Sequence, residues 1–175
     1  AVLCRRGEDL QNTFHVPAPY INAAEGTLPD PPIRFSDYTL ETSRGFRALP
    51  ICMSMQVHGA KAFGDMVDAG MAQMKMLEGL ITAAPELELL TPAYNNVLNF
   101  RYMEGGLSEA QLDALNIETF KRLNRAGIAS PSTFVVDGKF CIRVCNTNHR
   151  SRDEDFKDMV DAFIRIGAEV LAEGV

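Results

Sequence analysis

The chain has 175 residues, of which 46% are hydrophobic and 23% charged, with a formal net charge of −6. These are the proportions of an ordinary globular protein, and they exclude a disordered tail, a collagen-like fibre and a disulfide miniprotein. The acidic balance argues against a nucleic-acid surface, and no apolar run approaches the ~20 residues of a membrane helix, so neither nucleic acid nor membrane is an expected partner.

In chain order, residues 1–21 read as a short strand, a polar turn at Arg6-Gly7-Glu8-Asp9 and a second apolar stretch. Residues 22–42 hold Gly26, Pro29, Asp30, Pro31 and Pro32, a loop that cannot be helix or central strand. A loop of this length in a compact protein is commonly functional or disordered. From Thr42 or Ser43, either able to cap, Phe46, Leu49, Met53 and Val57 recur at helical spacing up to His58-Gly59, and Pro50 either kinks this helix or marks its first turn. Phe63, Met66, Val67, Gly70, Met71, Met74, Leu77, Leu80 and Ile81 trace one face of a further helix ending before Pro85.

After Pro85 the period changes to two. Leu87 and Leu89 alternate with Glu86 and Glu88, and Leu98, Phe100 and Tyr102 alternate with Asn99 and Arg101, giving two strands. Ser108 to Gln111 is a capping box opening a helix that closes near Gly127. Thr133–Val136, the pair Asp137-Gly138, and Lys139–Cys145 form a tight hairpin. A second capping box, Ser151 to Glu154, opens the last helix with its stripe from Phe156 to Leu171. Residues 86–175 thus read β-β-α-β-β-α, a small sheet with helices on one face. Residues 1–84 hold too few elements to enclose a core of their own.

Four cysteines, Cys4, Cys52, Cys141 and Cys145, and three histidines, His15, His58 and His149, form no metal signature. On a strand, Cys141 and Cys145 stand about 13 Å apart at ~3.3 Å per residue, beyond disulfide reach. Free thiols fit a reducing cytoplasm, the expected location.

Three arginines are candidates for chemistry. Arg143 alternates with Ile142 and Val144, so it shares a strand face with Cys141 and Cys145. There it is either a bidentate carboxylate clamp or a solvated residue of an exposed sheet face. Ser43 and Arg44 stand where a loop enters a helix, and either converge on an anion or form a simple cap. Arg47 reads as an ion-pair partner. No nucleophile triad, phosphate loop or dinucleotide fingerprint is present.

The order of these segments resembles a known family. Thr42-Ser43-Arg44-Gly45-Phe46-Arg47-Ala48-Leu49-Pro50 with His58-Gly59, Asn99-Phe100-Arg101, Leu115-Asn116 and Phe140-Cys141-Ile142-Arg143-Val144-Cys145-Asn146 are similar to stretches of the group II pyridoxal-phosphate-dependent amino-acid decarboxylases. That family includes the aromatic-L-amino-acid, glutamate and tyrosine enzymes. Ala1–Arg5 resembles the strand just after the cofactor lysine. The resemblance implies an α/β fold of the fold-type I kind. Residues 1–84 would end the large domain and residues 85–175 would form the small C-terminal domain.

It also implies a carboxy-lyase with pyridoxal 5′-phosphate as cofactor, a small amino acid as substrate and a homodimer-type interface. The cofactor lysine would lie on a polypeptide segment outside this chain, about ten residues before Ala1 by the family's spacing. By position, Ser43 and Arg44 match the segment approaching the cofactor phosphate of the neighbouring subunit, and Arg143 matches the arginine proposed to hold the substrate carboxylate. The stretch from Ala24 to Leu40 matches a mobile catalytic loop. Where the aromatic branch carries a proton-donating tyrosine, this chain has Phe35, with Tyr38 three residues on. Phe35 has no hydroxyl to donate. Either Tyr38 or another group serves, or the loop is displaced in length, or the reaction shifts to oxidative decarboxylation–deamination yielding an aldehyde. A different class of reading is a catalytically inactive remnant acting as a binding or regulatory module.

Overall fold

The structure, a computed structural model, describes residues 3–15, 35–41 and 43–174. It divides into two compact units, Ala1–Val57 and His58–Val175.

In the first unit, helix α1 spans Gly7–Phe14. This corrects the expected turn at Arg6–Asp9. Glu8 and Asp9 lie in the first turn, where carboxylates favour the positive helix end, and Arg6 Nη2 closes on Asp9 Oδ1 at 2.9 Å. Leu3–Arg5 form no strand, because no described segment pairs with them; Ala1, Val2 and the expected apolar stretch over 16–21 lie outside the described residues. So does most of the 22–42 loop. Its end, Phe35–Tyr38, is a single 3₁₀ turn. No described residue of this unit is buried.

Helix α2 spans Ala48–Ala83. Pro50 falls in its first turn, where the missing N–H has no intrahelical partner to lose. Ser43 stands five residues before the helix and does not cap it, contrary to expectation. Gly59, at φ 78° and ψ 153°, breaks the helical run, a conformation that costs glycine alone little.

In the second unit, strands β1 (Leu87–Tyr94), β2 (Val97–Tyr102), β3 (Ser132–Val136) and β4 (Lys139–Cys145) form one antiparallel sheet in the order β1-β2-β4-β3. Helices α3 (Glu109–Arg125) and α4 (Asp153–Glu173) complete the expected β-β-α-β-β-α order. β1 runs on through Pro92, which an edge strand tolerates, with register shifts after Leu89 and Thr91. The β1–β2 turn places Asn95 at φ 53°, and the β3–β4 turn holds Asp137 and Gly138 at φ 49° and 81°, as a two-residue hairpin requires. Ser108 and Gln111 make the capping box of α3, with Ser108 N donating to Gln111 Oε1 at 3.0 Å. On α4 the cap shifts by one residue: Arg152 N donates to Asp155 Oδ2 at 2.8 Å, in place of the expected Ser151–Glu154 box.

The core lies on the sheet face carrying Leu98, Phe100, Ile142 and Val144, covered by Met74, Leu77 and Ile81 of α2 and the Phe156–Val170 stripe of α4. Phe100 and Phe163 meet edge to face at 5.2 Å, a favourable aromatic geometry. β2 and β4 pair only as far as Phe100 and Ile142. Beyond that point α3 supplies the partners: Asn116 Oδ1 accepts from Tyr102 N at 2.7 Å, its Nδ2 donates to Tyr102 O at 2.9 Å, and Asp113 Oδ1 accepts from Phe140 N at 2.9 Å.

Candidate functional site

The strand register decides which side chains share the sheet face away from the core. Glu88 lies opposite Arg101, Thr91 opposite Asn99, Asn99 opposite Arg143, and Arg143 opposite Ser132. Residues directly opposite across an antiparallel pair present their side chains on one face, so a polar row crosses all four strands.

One end of the row is closed. Arg101 is fully buried, with Nε 2.6 Å from Glu88 Oε2 and Nη1 2.7 Å from Glu109 Oε2. Lys139 Nζ adds a contact to Glu88 Oε1 at 3.1 Å. Burial pushes the Glu88 carboxyl up, but the hydrogen bonds from Arg101 and Lys139 outweigh it and leave the group below its usual range. For Glu109 the bond from Arg101 leads, and it too is lowered. Burial opposes the Arg101 charge, yet its bonds to Glu109 and Glu88 prevail, so it stays protonated. Beside it, burial pushes the Cys141 thiol up, the state of an unreactive sulfur.

The other end is open. Arg143 is half-buried, and its Nη1 reaches Ser132 Oγ at 3.4 Å. Among the described residues no carboxylate lies within ion-pair distance of it. Asn99, 8% exposed, donates from Nδ2 to Thr91 Oγ1 at 2.7 Å, while its Oδ1 is buried without a partner. Asn146, the last residue of the motif around Arg143, locks the end of β4 to α2 through Gln73 Oε1 at 2.8 Å.

In the first unit, Arg47 Nη2 pairs with Glu41 Oε1 at 3.3 Å, the ion pair expected of it, and Arg44 Nε lies 3.6 Å from Glu41 Oε2. Beside Glu41, Arg44 remains half exposed. Ser43 is exposed beside it. Phe35 is exposed, whereas Tyr38 is half-buried. His15 Nδ1 lies 3.2 Å from Asp37 Oδ1 and ties the 3₁₀ turn to the end of α1. Lys61, Lys75, Lys121 and Lys139 each stand near a carboxylate, as ion pairs.

No protein-family model matches the chain. It is 32% identical over 175 residues to an aromatic-L-amino-acid decarboxylase of Bacillus atrophaeus, covering 99% of this chain and 35% of that protein. The crystal structure of Oryza sativa TDC with PLP and tryptamine superimposes with a TM-score of 0.78 at 21% identity, over 91% of this chain and 33% of the other. The glutamate decarboxylase domain of a Vibrio parahaemolyticus diaminobutyrate–pyruvate transaminase and L-2,4-diaminobutyrate decarboxylase gives 0.63 at 29% identity, over 70% and 26%. The chain corresponds to the C-terminal portion of the group II pyridoxal-phosphate-dependent amino-acid decarboxylases. Its fold is the C-terminal part of the fold-type I architecture expected from the sequence. The chain spans about a third of the length of the relatives it matches. No helix among the described residues is long and apolar enough to cross a membrane.

Sequence periodicity placed Asn99 on the same face as Arg101 but gave no reason to single it out. Its signal is the orphaned oxygen, which depends on a register that a sequence does not state.

Proposed function

We propose that the chain works as the C-terminal part of a pyridoxal-phosphate-dependent L-amino-acid decarboxylase, which releases CO₂ from a small amino acid and leaves an amine. The observation that carries this reading is similarity to an aromatic-L-amino-acid decarboxylase along 99% of the chain. The cofactor lysine would come from polypeptide beyond these residues, residues 1–84 would complete the large domain, and residues 85–175 would form the small one. The assembly is read as a cytoplasmic homodimer with its sites at the subunit interface.

Bound pyridoxal phosphate supplies an electron sink for the pair left when the bond from Cα to the carboxylate breaks. This chain supplies binding and proton handling around it. Arg143 offers a bidentate fork with no carboxylate among the described residues to satisfy it, suited to holding and orienting a substrate carboxylate. Arg44, with the Ser43 hydroxyl, faces the cofactor phosphate of the neighbouring subunit. The 22–42 segment, by its match to the family's catalytic loop, would exclude water from the site. Within it Tyr38 is the residue able to return a proton, since Phe35 carries none.

The test uses the complete polypeptide that contains this segment, loaded with pyridoxal phosphate and offered L-tryptophan, L-tyrosine and L-2,4-diaminobutyrate. Release of CO₂ with a matching amine from at least one of them is expected. No CO₂ from any amino acid overturns the reading and favours a binding module. Phe35 favours a second outcome, so aldehyde and ammonia are measured beside the amine.

A further inference from the structure

We infer that Asn99 positions Arg143: its buried Oδ1 receives a guanidinium N–H when Arg143 leaves Ser132 to meet a substrate carboxylate. This rests on the reading of Arg143 as the carboxylate clamp.

A carbonyl oxygen buried without a donor is costly, and one that persists in a folded chain calls for a partner. Asn99 is held firmly enough for its orientation to matter. Its backbone N–H and its Nδ2 both donate to Thr91 Oγ1, at 3.1 and 2.7 Å, which points Oδ1 away from β1. The charged donors on this face are Arg101, Arg143 and Lys139. Arg101 is saturated by Glu88 and Glu109, and Lys139 is drawn to Glu88. Arg143 lies directly opposite Asn99 on β4, with Ser132 on its other flank and only a 3.4 Å contact there.

The two neighbours therefore offer Arg143 two resting places. Over Ser132 it leans towards edge strand β3. Over Asn99 it stands between β2 and β4, with one N–H satisfied below and its outer fork free for a carboxylate. Asn99 Oδ1 cannot itself bind that carboxylate, because both are acceptors. Its contribution is to fix the guanidinium plane, the feature that makes arginine a bidentate ligand.

The experiment measures binding of 3-arylpropionates, des-amino analogues that carry the carboxylate but no amine to react with the cofactor. Calorimetric titration of the complete holoenzyme gives their Kd, and steady-state kinetics with the amino acid give KM and kcat. Asn99→Leu is expected to raise Kd and KM about tenfold, the worth of one hydrogen bond to a charged group, with most of the loss in kcat/KM falling on KM. Asn99→Asp, which sets a carboxylate against Arg143, is expected to weaken binding further. On an Arg143→Ala background Asn99→Leu should add nothing, whereas mere damage to the sheet would persist there. Wild-type affinity in both Asn99 variants, with Arg143→Ala still impaired, overturns the role of Asn99 alone. Wild-type affinity in Arg143→Ala overturns the clamp itself.

Discussion

Gly167 of α4 lies tight against the Tyr102 ring on β2, and replacing it with alanine should loosen the second unit. A Cβ at this position would lie 2.5 Å from Tyr102 Cε2, closer still to Cδ2, and 3.1 Å from Cγ. Ordinary carbon contacts begin near 3.5 Å, so the ring or the helix must move by about 1 Å. Neither is free to move. Tyr102 is 3% exposed, and Asn116 fixes its backbone through both N–H and C=O. Overpacking of this kind costs about 1–3 kcal/mol, and the rigidity of Tyr102 puts the cost at the upper end. Alanine returns up to about 1 kcal/mol through its better helix propensity. The net loss is then about 2 kcal/mol, a fall of roughly 8 °C at about 4 °C per kcal/mol for a unit of this size. Gly79→Ala supplies the comparison, because nothing lies within 4 Å of a Cβ in that part of α2. It should keep the propensity gain and raise Tm by up to about 4 °C. Thermal unfolding followed by circular dichroism checks both variants. Equal Tm values for Gly167→Ala and Gly79→Ala would refute the close-contact argument.

Asn116→Ala strands the N–H and C=O of Tyr102 together, and at about 1–3 kcal/mol for each unpaired group it should cost about 2–6 kcal/mol in urea unfolding. The Arg101 network should make the fold acid-sensitive. Glu88 and Glu109 are held below the ordinary value of 4.5 in the folded state, so their contribution is complete above pH 4.5 and is lost as pH falls through the lowered values. Arg101→Met should flatten that slope, and at pH 7 it should be tolerated better than Glu88→Gln with Glu109→Gln, which leaves a buried guanidinium unpaired; equal costs for the two would contradict the network. Alkylation of the native chain should label Cys4, Cys52 and Cys145, which are exposed, and spare buried Cys141, as intact mass will show.

The second unit was readable because its signals are local. Capping at Ser108, the Asp137-Gly138 turn and the period-two runs around Phe100 and Ile142 each act within a few residues, and the β-β-α-β-β-α order follows from them. Two local signals misled by small steps. Ser151 has the composition of a cap, but the helix begins one residue later, where Asp155 answers Arg152 N. Arg6–Asp9 has the composition of a turn, and its two carboxylates instead open α1. The face of the sheet was harder to read, because it depends on register. Alternation shows that Asn99 and Arg101 point one way, but not that Arg143 lies across from Asn99 rather than Arg101. That pairing is set by where β2 and β4 stop hydrogen-bonding and α3 takes over, a decision made by residues far apart in sequence.

The contrast between Arg101 and Arg143 shows what register adds. Both are strand arginines in the motifs that resemble the decarboxylases, and both lie on the face away from the core. Strand alternation alone does not separate them; only the resemblance singles out Arg143. In the structure Arg101 meets two carboxylates and is fully buried, so its charge is spent on holding β1, β2 and α3 together. Arg143 meets a hydroxyl at 3.4 Å and faces an amide oxygen that has no donor. A guanidinium whose fork is filled from within can offer little to a substrate; one that meets no carboxylate among the described residues keeps its charged donors unspent. Substitution should therefore separate them by readout. Arg101→Met should move unfolding and its acid dependence, and Arg143→Ala should move the affinity for a carboxylate with little change in Tm. If Arg143→Ala unfolds the chain as readily as Glu88→Gln with Glu109→Gln, its charge is structural after all, and the open end of the row is not a binding site.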